Sequence, residues 1–460
     1  MSSKPLELVR GLGFWPATAI VVGMMIGTGI FLVPSEMARA AGTVELVFAA
    51  WIVGGALTLF GAFAAAELGA ALPEAGGPYA YLKRGFGPAL AFLFGWTFAM
   101  VANPASLATI AAGLLRFWSF LMPAVSAPLF AWQIPLPFQT DPYEFRFTLA
   151  QPLAVLGILL VTGVNCLGVR LGGRIQVVLT VIKVVAVLAV VALGLALGKA
   201  SANSAEAIPS EAIQANALSG FLTALVAALW AYDGWVNLAF VGSEVMDPKK
   251  NISRALVGGV LFVGVVYVLA NAVYFYVLPL ARVARSEHVA SDVVEQFAGQ
   301  SAAQWMTLAM VVSALGTLNS SVLTNARIPY AMARDGLFFR FAARIHPTFR
   351  TPDRALWFQA CLGSLLALTG TFEELFSLFI FAAWIFYGLT VAALFRLRRR
   401  EPEMERPYRA WGYPWAPALF LIGALALTVN LWVERPVRSS IGLLLILSGL
   451  VFYRRWRGRR

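Results

Sequence analysis

The chain reads as an all-α integral membrane protein of twelve spans, the first and sixth broken part-way, and three observations predict this. Composition is the first: of 460 residues, 60% are hydrophobic and 13% charged, with a mean hydropathy of +0.76, far from a soluble domain. The second is spacing, because apolar runs near the roughly 20 residues that cross a bilayer follow one another along the whole chain. Interruption is the third. Gly23, Gly27 and Gly29 lie inside the first run, and Tyr232-Asp233-Gly234 interrupts the sixth in the same way. Backbone that leaves the helix at membrane depth exposes N–H and C=O groups that lipid cannot satisfy, so it persists only beside a cavity or inside protein.

In chain order the runs fall at 14–40, 43–72, 86–117, 148–168, 173–198, 214–246, 252–280, 302–332, 353–371, 373–395, 412–433 and 437–453. The first is too long, and followed by too many others, to be a cleaved signal peptide. The two longest stretches between runs, 118–147 and 333–352, are too short to be folded domains of their own. No soluble catalytic module is expected.

The net charge of +12 is explained by placement better than by a nucleic-acid partner. With the N-terminus inside, 26 Lys and Arg fall in inner segments and eight in outer ones, and Lys183 belongs to neither side. Such an imbalance predicts a multi-pass protein of the plasma (inner) membrane with both termini cytoplasmic. The tail from Arg454 to Arg460 reads as a topology anchor against anionic lipid. Cys166 and Cys361 lie in or at the ends of apolar runs, and two Cys with His288 and His346 make neither a disulfide framework nor a metal site. No metal or cofactor is expected.

If spans 1–5 and 6–10 are two copies of one unit, the broken spans are the first of each copy. Five is odd, so the second copy enters from the opposite side and the repeat is inverted. The boundaries are then 1–198 for the first repeat, 199–398 for the second, and 399–460 for spans 11 and 12 with the basic tail. Paired glycine-interrupted spans at corresponding places point to a transporter with its substrate site between them.

Seven groups of residues in order carry a family resemblance. They are the segment 23–31; Glu67-Leu68-Gly69 with Leu72-Pro73-Glu74-Ala75-Gly76-Gly77-Pro78-Tyr79-Ala80-Tyr81; Val164-Asn165-Cys166 with Val169, Arg170, Arg174, Gln176 and Lys183; residues 231–235 with Glu244, Pro248 and Asn251; Gly316-Thr317-Leu318-Asn319-Ser320 with Arg327; Ala333-Arg334-Asp335-Gly336; and Arg406-Pro407-Tyr408-Arg409 with Gly412-Tyr413-Pro414. Together they resemble the amino acid/polyamine/organocation superfamily and, within it, a prokaryotic member of the L-type amino acid transporter family. The resemblance implies the sodium-coupled leucine transporter architecture of a five-plus-five inverted repeat plus two helices, and carriage of amino acids by alternating access. Eukaryotic members join a glycoprotein heavy chain through a cysteine between helices 3 and 4. This chain has no Cys from 117 to 150, so no disulfide-linked heavy chain is expected.

An amino acid zwitterion needs donors for its carboxylate and acceptors for its ammonium when it leaves water. A helix unwound at Gly27, Thr28 and Gly29 supplies both: free N–H groups and a positive dipole end from its outer half, carbonyls from its inner half. Glycine permits the turn and a close approach of ligand to backbone; the plainer alternative is that these glycines serve helix packing. In the family, positions matching Thr28 and Gly29 hold the carboxylate, and carbonyls matching Met24, Met25 and Trp230 or Ala231 hold the ammonium. Trp230 matches an aromatic that lies over the substrate as a gate, against the default of an interfacial aromatic.

Asp233 has two readings. It either caps N–H groups at the start of the outgoing half of the sixth span or recognises a cationic side chain, as in family members that exchange cystine and cationic amino acids, so the expected substrates are neutral amino acids and, on the second reading, cationic ones as well. Lys183, nine residues past Arg174, lies roughly 14 Å into the membrane at 1.5 Å per residue. Snorkelling recovers only part of that depth. The family's matching lysine takes the place of a sodium ion, which implies sodium independence; release and rebinding of a proton there is the other reading. Asn319 and either Trp384 or Tyr387 are further candidate contacts. Glu244 and Arg327 read as an inner gate or a solvated ion pair, and Tyr79 with Tyr81 as closing the inner path. With Gly27, Gly29 and Gly234 as hinges, the function expected is a sodium-independent amino acid exchanger. Its alternatives are a proton-coupled symporter and, further off, a membrane enzyme or a channel, for which no converging nucleophiles or filter-like repeat are visible.

Overall fold

The computed structural model describes residues 6–134, 143–201, 217–369, 372–434 and 436–457. Lys4, Arg435, the end of the basic tail at 458–460 and the start of the sixth run lie outside them. The first run is two helices, α1 (Phe14–Met25) and α2 (Gly29–Ala41), followed by α3 (Val44–Ala71). A short α4 (Pro78–Phe86) leads into α5 (Pro88–Thr97), a π turn (Phe98–Ala102) and α6 (Asn103–Leu121). Then come β1 (Pro128–Ile134), β2 (Tyr143–Thr148), α7 (Ala150–Cys166) and α8 (Val169–Leu197). The sixth run is α9 (Ala217–Ala231) and α10 (Asn237–Phe240), closed by a 3₁₀ turn (Gly242–Glu244) before α11 (Pro248–Val277). The remainder is α12 (Leu280–Arg285), α13 (Val289–Asn325), α14 (Arg327–Arg334), α15 (Asp353–Thr369), α16 (Phe372–Arg400), α17 (Trp415–Glu434) and α18 (Pro436–Arg457).

Nine helices among the described residues are long and apolar enough to cross a membrane. The fourth, sixth and ninth runs hold the shorter α7, α9 and α15, of 17, 15 and 17 residues. Three features depart from the reading of the sequence. The stretch 118–147 carries an antiparallel hairpin, pairing Phe130 with Phe147 and Trp132 with Phe145, because aromatic residues alternate there with polar ones. Helix α13 begins at Val289, ahead of the apolar run, and bends at Gly299 (φ 78°); Glu and Gln in that first part are good helix formers whatever their polarity. The outgoing half of the sixth span is only four residues of α-helix and a 3₁₀ turn.

Local signals set several boundaries. The Thr43 hydroxyl accepts from the Leu46 N–H at 3.3 Å to cap α3, and Gly42 ends α2 in the left-handed conformation, φ 71°, which is the usual glycine stop. Pro248 opens α11, where its missing N–H costs nothing. In the interior, α3 packs along α11, α13 lies against α6 and α8, and α2 meets α9. The most apolar windows of α1–α2 and α13–α14 are 83% and 78% buried, against 28% in α17 and α18. The broken helix and α13 are therefore the centre of the bundle, and α17 and α18 its lipid-facing edge.

Candidate functional site

The two breaks face each other. A Cβ on Gly29 would lie 2.9 Å from the Ala231 Cα, and one on Gly234 2.3 Å from the Met24 Cγ, so both glycines are required by close approach. Only Gly234 also has a positive φ, of 98°; the first break leaves the helix through Ile26 (φ −73°, ψ 79°) without a left-handed glycine. Between the breaks is a cavity of about 50 Å3. It brings together Met24, Met25, Gly27, Thr28, Gly29, Trp230, Ala231 and Asp233, with Ser106, Thr109 and Ile110 of α6 and Thr317 of α13 completing the wall. Gly234 sits behind it, against Met24.

Each backbone group released by the first break can be followed. The α2 helix starts at Gly29, and among the described hydrogen bonds the N–H groups of Thr28, Gly29 and Ile30 have no backbone acceptor, whereas Phe31 and Leu32 donate to the Thr28 carbonyl at 3.2 Å. Three donors at the positive end of a helix, two of them on cavity-lining residues, suit a carboxylate. On the other side of the break, the Lys183 ammonium of α8 donates to the carbonyls of Gly23 (2.8 Å), Ile26 (2.7 Å) and Ser313 (2.8 Å), with the Thr317 hydroxyl at 3.2 Å. Lys183 is fully buried, and its three protons meet three carbonyls. This is not a snorkelling lysine.

The Tyr267 hydroxyl of α11 stands 2.5 Å from the Met25 carbonyl and 2.9 Å from that of Ala231. It has one proton for two acceptors. One carbonyl from each break thus shares a single donor, and the pair keeps acceptor capacity beside the cavity for an ammonium. The Asp233 carboxylate lines the cavity and accepts from the Tyr387 hydroxyl at 2.8 Å. Its capping role reduces to the neighbouring Gly234 N–H, since the residue that precedes α10 is Val236. Trp384 is not among the lining residues and stacks on Phe420 at 5.8 Å. Asn319 is also absent from the wall: its amide donates to the Gly172 carbonyl (3.3 Å) and to Gln176 (2.8 Å), and its carbonyl accepts from Asn165 (2.8 Å). Hydrogen bonds that join α13 to α7 and α8 occupy it, and it is Thr317, about half a turn away, that lines the cavity.

On the face that carries most of the arginines a buried ion pair joins the end of the sixth span to α14. The Arg327 guanidinium donates to both oxygens of Glu244, at 2.6 and 3.0 Å, and to the Leu323 carbonyl; the two side chains are 1% and 0% exposed. A solvated ion pair is excluded by that burial. The N–H groups of Gly11 and Leu12 donate to the Glu244 carbonyl at 2.9 and 3.0 Å, which ties the N-terminal segment to the end of the sixth span. Below them Tyr79 and Lys83 both donate to Asp335, at 2.8 and 2.7 Å. Tyr81 is buried in the same helix.

Sequence reading missed Ser106, Thr109, Ser313, Thr317 and Tyr267. The Ser/Thr pattern at 313, 317, 320, 321 and 324 repeats at helical spacing and was a signal for a polar face on α13. Tyr267 is one of 12 tyrosines and has no sequence context that sets it apart.

Comparison with known proteins identifies the family. The profile of the family described as amino acid permease matches residues 12–453. The serine/threonine exchanger SteT of Bacillus subtilis (strain 168) is 29% identical over 456 residues, covering 98% of each chain. The b(0,+)-type amino acid transporter 1 of Homo sapiens is 30% identical over 98% of this chain and 88% of its own length. The large neutral amino acids transporter small subunit 2 of Homo sapiens is 34% identical over 97% of this chain and 80% of its own length. The chain belongs to the amino acid permease family, in the amino acid/polyamine/organocation superfamily.

Proposed function

We propose that this permease exchanges amino acids across the membrane without sodium, gripping the zwitterion between its two breaks. As a member of a family of permeases the chain is a carrier and not an enzyme. The substrate carboxylate sits at the N–H groups of Thr28, Gly29 and Ile30, and its ammonium at the carbonyls of Met24, Met25 and Ala231. The observation that carries sodium independence is the Lys183 ammonium held among the oxygens of Gly23, Ile26, Ser313 and Thr317. A fixed cation fills the place a metal cation would need, in a cage of the neutral oxygens that hard cations prefer.

Exchange is supported by the name of the Bacillus relative. A cavity of about 50 Å3 favours small neutral amino acids, because each added methylene must push back a packed wall. Asp233 on the cavity wall supports a second substrate class, cationic amino acids, reached when its bond to Tyr387 opens. If Asp233→Asn lowers arginine and leucine exchange by the same factor, that second class is wrong. The repeats 1–198 and 199–398, both termini in the cytoplasm of an inner-membrane protein, and operation without a disulfide-linked heavy chain complete the reading. Charge asymmetry supports the orientation.

The deciding experiment is counterflow in proteoliposomes: labelled amino acid outside, with and without unlabelled amino acid inside, at two pH values and free of sodium. Uptake that rises with internal amino acid and ignores the pH gradient is expected. Uptake that needs sodium defeats the assignment of Lys183, and uptake driven by a pH gradient with an empty interior establishes proton coupling instead.

A further inference from the structure

A second cavity, of about 700 Å3, lies on the basic side of the Glu244–Arg327 pair. Its walls come from the N-terminal segment, the turn after α3, α4 and α14. The floor includes Ser243, next to Glu244 in the chain, and Ala331, one turn along α14 from Arg327. This volume falls within the roughly 300–1,000 Å3 of small-molecule pockets.

Its charges are mixed and in balance. Lys83 and Asp335 pair with each other at 2.7 Å. Four more charged residues line the space, Arg10 and Arg334 against Glu7 and Glu74, and none of these four forms an ion pair among the described residues. A purely anionic or purely cationic ligand would meet as much repulsion as attraction there. A ligand carrying both charges would not.

The geometry points to this vestibule as a second, looser site for the amino acid zwitterion, occupied from the basic side before the Glu244–Arg327 pair opens; it rests on the amino acid exchange proposed above. The two sites differ in chemistry. The cavity between the breaks uses backbone groups in a dry interior, whereas the vestibule uses exposed side chains whose attraction salt screens over about 8–10 Å. Because Arg327 opens α14 and Arg334 closes it, separating the gate pair moves a wall of the vestibule. Loading and opening are coupled through one short helix.

The test is exchange in oriented proteoliposomes, with half-saturation measured separately for amino acid on the two faces, for the intact protein and for Arg10→Gln and Glu74→Gln. Arg10 and Glu74 are exposed, so the fold has little stake in either. In each variant the ratio of basic-face to opposite-face half-saturation is expected to rise about threefold, the scale of one solvated charge contact. Raising salt on the basic face of the intact protein is expected to raise the same ratio. An unchanged ratio in both variants, with normal exchange by the intact protein, overturns the vestibule site alone. Failure of the intact protein to exchange any amino acid overturns the function and this site together.

Discussion

Two buried cations in this carrier are held in opposite ways. Lys183 meets three backbone carbonyls and a hydroxyl and no carboxylate, whereas Arg327 meets both oxygens of Glu244 and one carbonyl. Two of the lysine's carbonyls, that of Gly23 in the last turn of α1 and that of Ile26 at its C-cap, lie at the negative end of a helix dipole. That cage exists only because α1 stops there, so the lysine and the break define each other. The Glu244–Arg327 unit is neutral and lies beside a large cavity, the arrangement the inner-gate reading needs if the pair is to part into water and re-form. A permanent cation suits a fixed framework, and a separable pair suits a gate.

The largest effect expected from breaking this comparison is at the cage. In Lys183→Met the carbonyls of Gly23, Ile26 and Ser313 lose their charged donor and share only the Ser313 and Thr317 hydroxyls, at a cost of about 1–3 kcal/mol for each one left unpaired. Exchange should fall more than about 100-fold, the equivalent of roughly 2.7 kcal/mol, in reconstituted counterflow. Full activity of this variant would mean that the first break holds itself open unaided.

The gate sharpens the contrast through a double mutant. Arg327→Gln and Glu244→Gln should each destabilise the protein by about 3–5 kcal/mol, because each leaves one buried charge unpaired. Combining them removes both charges, and the double variant should melt above either single one. No second substitution can repair Lys183→Met in that way, since its partners are uncharged oxygens, three of them backbone. Thermal melting of the purified variants checks the order; a double variant below both singles would show that the pair acts through shape and not through charge.

Between these extremes lies Tyr267, which splits one proton between a carbonyl of each break. Tyr267→Phe leaves both carbonyls to the substrate ammonium, but in the empty carrier it leaves the Ala231 carbonyl bare and the Met25 carbonyl with the Gly27 N–H alone. A bare buried carbonyl costs about 1–3 kcal/mol, so half-saturation for the zwitterion is expected to shift about tenfold with little change in protein level. A desamino substrate analogue should show no such shift. An equal shift for both ligands would place Tyr267 outside ammonium recognition.

The same comparison shows what a sequence discloses. A lysine inside an apolar run and glycines inside two others stand out because membrane-spanning helices have no ordinary use for them. The multi-span helical plan and both breaks were therefore legible, as was the pairing of Glu244 with Arg327. Asn319 was misplaced because periodicity places a residue on a helix but not its amide, and the partners that occupy it, Asn165 and Gln176, are 154 and 143 residues away in the chain. Tyr267 went unseen for the same reason, its acceptors lying 242 and 36 residues away. The hairpin at β1 and β2 was not read because 118–147 was judged only by its length, as too short for a folded domain, and not by its alternating aromatic residues.

The smallest effect is expected at an ion pair of the same composition as the gate but open to water. Arg84 of α4 donates to both oxygens of Glu401 at 2.6–3.0 Å, with the two side chains 46% and 31% exposed. The Arg84 hydrogen bond holds the Glu401 carboxyl below the usual carboxylate range. A lowered carboxylate pKa stabilises the folded state above the unfolded value, and that contribution is lost as pH falls through the folded one. Arg84→Gln should therefore cost under about 1 kcal/mol at neutral pH, and the difference should vanish on acidification. High salt should shrink it as well, while leaving the cost of Arg327→Gln almost untouched, because ions reach one pair and not the other. Melting curves at two salt concentrations and across an acid titration measure both. A salt response of equal size in the two variants would mean that water already reaches Glu244, and that the gate stands open more often than its burial implies.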